Sequence, residues 1–206
     1  MLMTPLRTKN LSRLAVQGLV GLCLWPTLAW AHDGTGLVGG FVSGFLHPLN
    51  GPDHMLAMVA VGLWGAILGR PLVAVLPVVF PIMMAIGGVM GILGVPIPPV
   101  ELGIGLSVVV LGAVIAFAVK PAIWVAIVIV AVFGIFHGYA HGQELPSAAD
   151  PVGYSVGFVL STGLLHLIGI GIGYLALRRG GMRLVQGLGV VIAVSGLWFV
   201  SQALLG

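Results

Sequence analysis

The sequence has one cysteine, Cys23, and it falls inside an N-terminal segment that reads as a removable leader. The rest of the chain therefore offers neither a disulfide nor a thiolate metal ligand. Charge is equally scarce. Charged residues make up 6% of the chain and hydrophobic residues 59%, whereas a soluble domain is roughly a quarter charged. That excludes a soluble fold. In a bilayer an unpaired backbone amide is too costly to leave exposed, which leaves helices or a closed barrel. Apolar runs of about 20 residues without strict alternation select helices. The net charge of +3 does not indicate nucleic acid. Arg70, Lys120, Arg178, Arg179 and Arg183 stand in gaps between apolar runs, where basic residues orient spans rather than bind phosphates. There is no nucleotide-binding loop and no H-E-x-x-H motif: Gly138 follows His137, so the general base of a zinc protease is missing.

What the N-terminus does have is the layout of a secretory signal. Arg7, Lys9 and Arg13 form a basic start and Leu14 to Leu28 an apolar stretch. Ala29-Trp30-Ala31 is an A-x-A cleavage site before polar His32-Asp33-Gly34. Leu22 is too large to precede a lipoprotein cysteine. The expectation is a signal peptide over residues 1–31 and a single transmembrane domain over 32–206.

Six apolar units come next, over 37–69, 72–95, 100–119, 122–141, 152–177 and 184–205, with proline at several borders. The expected fold is an all-α membrane protein of six transmembrane helices after a cleaved signal peptide, the first helix interrupted at Pro48–Pro52. Cleavage leaves the new N-terminus outside. Counting spans from there puts every basic connection on the cytoplasmic side and Asp33, Glu101, Glu144 and Asp150 on the outer side, the positive-inside pattern. The localisation expected is a bacterial inner membrane, with both mature ends in the periplasm. Among 33 glycines, runs such as Gly169-Ile170-Gly171-Ile172-Gly173 read as close helix packing.

The first unit is too long for one span. Its 33 residues (69 − 37 + 1) would reach about 50 Å as a helix, against about 30 Å of hydrocarbon. Pro48 and Pro52 forbid a continuous helix and Gly51 eases the turn. Non-helical backbone at that depth is tolerated only against protein or a water-filled cavity. Here stand His47, Asp53 and His54, with Asp53 also placed to cap the next helix. A second polar cluster lies on the fourth unit. His137 and His141 share a helix face, and Glu144 comes next on roughly that face. His54 is 16 residues above Arg70 and His137 is 17 above Lys120, so both stand about 24 to 26 Å above the inner edge. Imidazoles and carboxylates without thiolate suit a borderline divalent metal such as Ni²⁺, Co²⁺ or Zn²⁺.

Those two stretches resemble the HupE/UreJ family of nickel and cobalt permeases. Its H-x₅-D-H pattern appears as His47…Asp53-His54. Its F-H-G-x-[A/V]-H-G-x-E pattern appears as Phe136 to Glu144. The resemblance implies transport of Ni²⁺ or Co²⁺ across the inner membrane. The residues expected to hold the ion are His47, Asp53, His54, His137, His141 and Glu144. His32 and Asp33 are accessory candidates at the mature start, and His166 is one midway down the fifth unit. Glu101 reads as an interfacial charge. The ion is cargo, and no prosthetic group is expected. Inward movement is driven by the membrane potential without ATP, with a cytoplasmic metal acceptor to consume the ion. The expectation is a permease and no enzyme. Rival readings are a copper(I) permease using Met55, Met58, Met83, Met84 and Met90, a zinc or haem membrane enzyme, and a structural subunit.

Overall fold

The computed structural model describes residues 37–144 and 150–205; the leader, the A-x-A site, His32 and Asp33 lie outside them, as does the side chain of Glu144. Among the described residues all regular structure is helical. The order is α1 (Leu37–Asn50), α2 (Pro52–Leu68), α3 (Leu72–Ile92), α4 (Val100–Ala116), α5 (Ile123–Glu144), α6 (Pro151–Gly173), a 3₁₀ turn (Tyr174–Leu177) and α7 (Gly181–Leu205). Four of these helices, α3, α5, α6 with its 3₁₀ extension, and α7, are long and apolar enough to cross a membrane. The bent pair α1–α2 makes a fifth such unit if it counts as one span, and α4 is apolar but only 17 residues long. The architecture is that of a multi-pass membrane protein.

Apolar residues cover both faces of these helices. On α3, Leu76, Phe80, Met84, Gly87 and Gly91 are buried, while Val78, Ile82, Ile86 and Val89 are about half exposed. A helix apolar all round, yet half uncovered by protein, is one that faces lipid. α2 is the exception. It is covered from Ala57 to Ile67 on nearly every side and touches α1, α3, α4, α6 and α7.

The break between α1 and α2 is narrower than the sequence suggested. Pro48 lies inside the last turn of α1 and Pro52 is the first residue of α2, so Gly51 alone is non-helical. A proline at the first helical position loses no hydrogen bond, and one in a last turn costs a single bond. The Gly51 amide still donates to the His47 carbonyl, at 3.2 Å. One extended residue suffices to bend the axis by 80°.

Close backbone contacts set the directions of the helices. Gly40 packs on Asp150 and Gly44 on Tyr154, while Gly62 packs on His166 and Gly173 on Leu63 and Ala66, so α1 and α2 each cross α6 in its own chain direction. Gly87 packs on Ile135 and Gly91 on Tyr139, so α3 runs parallel to α5. Gly112 meets Ala193 and Gly196 meets Val109, so α4 and α7 are antiparallel. Two glycines of the second motif take part. A Cβ on Gly138 would overlap the Met84 carbonyl, and one on Gly142 the Gly88 carbonyl. These neighbours are backbone and cannot swing aside. Gly138→Ala is therefore expected to force α3 and α5 apart, lowering the thermal midpoint and the yield of monodisperse protein in detergent. Gly163→Ala, where an added Cβ meets nothing within 4 Å, is the control and should leave both unchanged.

Candidate metal centre

The last turn of α1 carries His47 and the first turn of α2 carries Asp53 and His54. The 80° bend turns both histidines toward α5, which brings His137 and His141 one helical turn apart. The four rings form a contiguous file. Ring centroids are 4.8 Å apart for His47–His141, 4.6 Å for His54–His141, 4.7 Å for His54–His137 and 6.3 Å for His47–His54. His137 is fully buried and His141 nearly so. Phe158 and Tyr154 of α6 wall the outer end, with Phe158 at 4.4 Å from His141 and Tyr154 at 5.8 Å from His47.

Hydrogen bonds commit one nitrogen on each of the two inner rings. Asp53 Oδ1 accepts the His54 backbone N–H at 2.8 Å and stands 2.9 Å from His54 Nδ1. A carboxylate oxygen accepts only, so Nδ1 carries a proton, and in the neutral ring His54 Nε2 keeps the lone pair. That Nε2 is buried and meets no partner. Asp53 thus orients the His54 ring, and it also takes an amide of the first turn of α2 as the sequence suggested. On the facing ring, His137 Nε2 lies 2.9 Å from Ser107 Oγ of α4, and His137 Nδ1 is buried without a partner. Two unpartnered nitrogens in a membrane interior are costly unless something visits them.

Among the described residues, no three His, Cys, Asp or Glu side chains already stand as a metal cage. The rings meet edge to face, at interplanar angles of 60° to 82° along the file. The spacing itself fits. With metal–nitrogen bonds of about 2.1 Å, two imidazoles sharing one ion hold their centroids roughly 4.5 to 5.5 Å apart. Convergence on one ion would require these edge-to-face rings to turn.

Other sequence candidates fall in different places. Glu144 is the last residue of α5, so the helix does continue past Gly142. His166 is not in the file. It lies on α6 with Phe80 between, the Phe80 ring being 5.4 Å from His137 and 5.6 Å from His166. Glu101, read from sequence as an interfacial charge, shares with Asp53 a cavity of about 450 Å³ that Gln202 and Trp198 also line. Ser107, Phe80, Tyr154 and Phe158 were absent from the sequence reading. Of these, only Ser107 offers a signal in the sequence, as an isolated hydroxyl within an apolar run.

Comparison with known proteins agrees with the motifs. The family profile described as HupE / UreJ protein matches residues 20–199. Among curated proteins, "Protein HupE" of Rhizobium leguminosarum bv. viciae is 42% identical over 171 residues, covering 83% of this chain and 89% of that protein. No solved structure matches the chain.

Proposed function

This chain belongs to the HupE/UreJ family, and from that premise we propose that it is a secondary transporter admitting a divalent transition metal, Ni²⁺ or Co²⁺, through the bacterial inner membrane. The observation that carries the reading is the histidine file: motifs from α1–α2 and from α5 meet, with bare nitrogens on His54 and His137. Six crossings are part of the proposal. α1–α2 counts as one bent span and α4 as a short one, completed beyond Ala116 by the segment to Val119. The Ala116 carbonyl accepts from Gln186 Nε2 and the Val119 carbonyl from Trp64 Nε1. The parallel pairs α1–α2 with α6 and α3 with α5, and the antiparallel pair α4 with α7, are those that six alternating crossings require. With a signal peptide removed at Ala31, both mature ends face the periplasm.

A hydrated ion reaches the outer cavity, where Asp53 and Glu101 attract it, with His32, Asp33 and Glu144 as further collecting groups. It exchanges water for imidazole nitrogen at His47, His141, His54 and His137, and Asp53 offsets charge. Inward passage is then favoured by the membrane potential, worth about 4.6 kcal/mol for a divalent ion at 100 mV, with a cytoplasmic acceptor removing the product. Release requires that the grip be loose, and rings that must rotate to converge provide that. Below Phe80, one α6 face descends through Phe158, Thr162 and His166 at four-residue steps. Ser161, Thr162 and His166 are buried, and Ser161 Oγ, Thr162 Oγ1 and His166 Nε2 meet no partner. They make the next polar station for the ion. His166→Leu is expected to cut the maximal uptake rate roughly tenfold with little change in half-saturation, since the outer cage is untouched; an unaltered rate would remove His166 from the path. Met58 and Met84 belong to the apolar core, which favours a nitrogen- and oxygen-bound cargo over copper(I).

The decisive experiment is accumulation of labelled nickel and of labelled cobalt in cells expressing the full chain, each challenged with the other and with copper. Uptake above the empty-vector level that copper leaves unchanged supports the reading; no accumulation of either ion removes it.

A further inference from the structure

The hydroxyl of Ser107 has a single proton, and the structure shows where it goes. Ser107 Oγ is 2.6 Å from the Ile104 carbonyl of its own helix. Two oxygens stand that close only when a proton lies between them, and a carbonyl has none to give. The Ser107 proton is therefore spent on Ile104, an ordinary back-bond within a helix. At 2.9 Å from the same Oγ, His137 Nε2 must then be the donor. In the neutral ring, the form that ligates metals, a proton on Nε2 leaves the lone pair on Nδ1. That atom is buried, has no protein partner, and belongs to the ring that meets His54 edge to face at 4.7 Å.

We propose that Ser107 is a positioning residue. It fixes the tautomer and rotamer of His137 so that Nδ1 presents its lone pair to the cargo, beside the His54 ring. The two inner ligands are held by equivalent devices, a carboxylate behind His54 and a back-bonded hydroxyl behind His137. Outer partners that donate or accept at the second ring nitrogen set ligand orientation in metal sites generally. Ser107 does so across helices, from α4 to α5, and at full burial, away from solvent. Other serines in these helices lack such a role: Ser155, Ser195 and Ser201 also back-bond to carbonyls of their own helices, but each of those bonds is exposed. The inference rests on the permease reading for its purpose but not for its chemistry.

The test uses the full chain with ¹⁵N-labelled imidazoles, in lipid nanodiscs, with the His137 signals assigned by loss in His137→Gln. Wild type is expected to show Nε2 protonated and Nδ1 bare. Ser107→Ala should mix the two tautomers and raise the half-saturation for nickel uptake about tenfold, within the range for lost outer partners. Ser107→Thr, which keeps a back-bonding hydroxyl, should restore the tautomer and most of the affinity. A wild-type His137 protonated at Nδ1 overturns the inference outright, and it can be read even if Ser107→Ala fails to fold. An unchanged tautomer and half-saturation in a folded Ser107→Ala overturns it as well. A wild-type chain that moves no metal yet shows the expected tautomer removes the permease reading and leaves this assignment standing.

Discussion

Changing His54 and His137 together to alanine is expected to reduce nickel or cobalt uptake more than about 100-fold, beyond the effect typical of losing an outer partner of a metal ligand. The size of the effect comes from the two bare nitrogens. His54 Nε2 and His137 Nδ1 are buried atoms that no protein group satisfies, so the bundle retains them at a cost that only a ligand or water offsets. Removing both should leave the helices better satisfied and the cargo without its inner pair. Stability and transport ought therefore to move apart. The double variant should keep a thermal midpoint near that of wild type while uptake disappears. The His137 variant should retain part of the activity, since His47 and His141 remain in contact with the His54 ring; the His54 variant, which interrupts the file between His141 and His137, should retain less. Retained uptake in a double variant that folds would place the cargo route elsewhere. Loss of folding in step with loss of uptake would mean that the rings are packing groups.

Much of this centre was legible in the sequence because the relevant information is periodic. A helix rises evenly, so counting from Arg70 and Lys120 placed His54 and His137 at one depth before any contact between them was visible, and the structure puts their rings 4.7 Å apart. The bend was legible too, since proline and glycine act on the backbone locally. Its width was not: whether Pro48 ends a helix depends on the backbone of the next residues, and here the last turn closes with the Gly51 amide on the His47 carbonyl. Lateral contacts between helices carry no such period. Ser107 lies 30 residues from His137 in sequence, and nothing in an apolar run says which face of α4 turns to α5. Glu101 does stand in the first turn of α4, as the sequence indicated, but the helices that face it were hidden for the same reason. Its neighbours in the outer cavity come from α2 and α7, helices that span counting leaves unordered around the bundle.

Asp53 separates two ways of stabilising the cargo, and its variants are expected to differ from one another. The carboxylate accepts both the amide and the Nδ1 proton of His54 through the one oxygen Oδ1. Asparagine keeps an oxygen in that position and removes the charge; alanine removes both. If orientation of His54 were all that Asp53 supplies, Asp53→Asn would transport like wild type. If charge were all, the two variants would be equally poor. The geometry makes both contributions real. Oδ1 holds the ring, and the carboxylate also lines the cavity it shares with Glu101, where the proposed route would bring the hydrated ion within reach of its charge. Asp53→Asn is accordingly expected to raise the half-saturation about tenfold and keep a measurable maximal rate, and Asp53→Ala to lose roughly a hundredfold, the two ends of the range for outer partners of metal ligands. The charge contribution has its own signature in salt. Raising ionic strength should weaken uptake by wild type more than by Asp53→Asn, because only the former draws its ion through a field that salt screens. Equal salt dependence in the two would confine Asp53 to holding the ring.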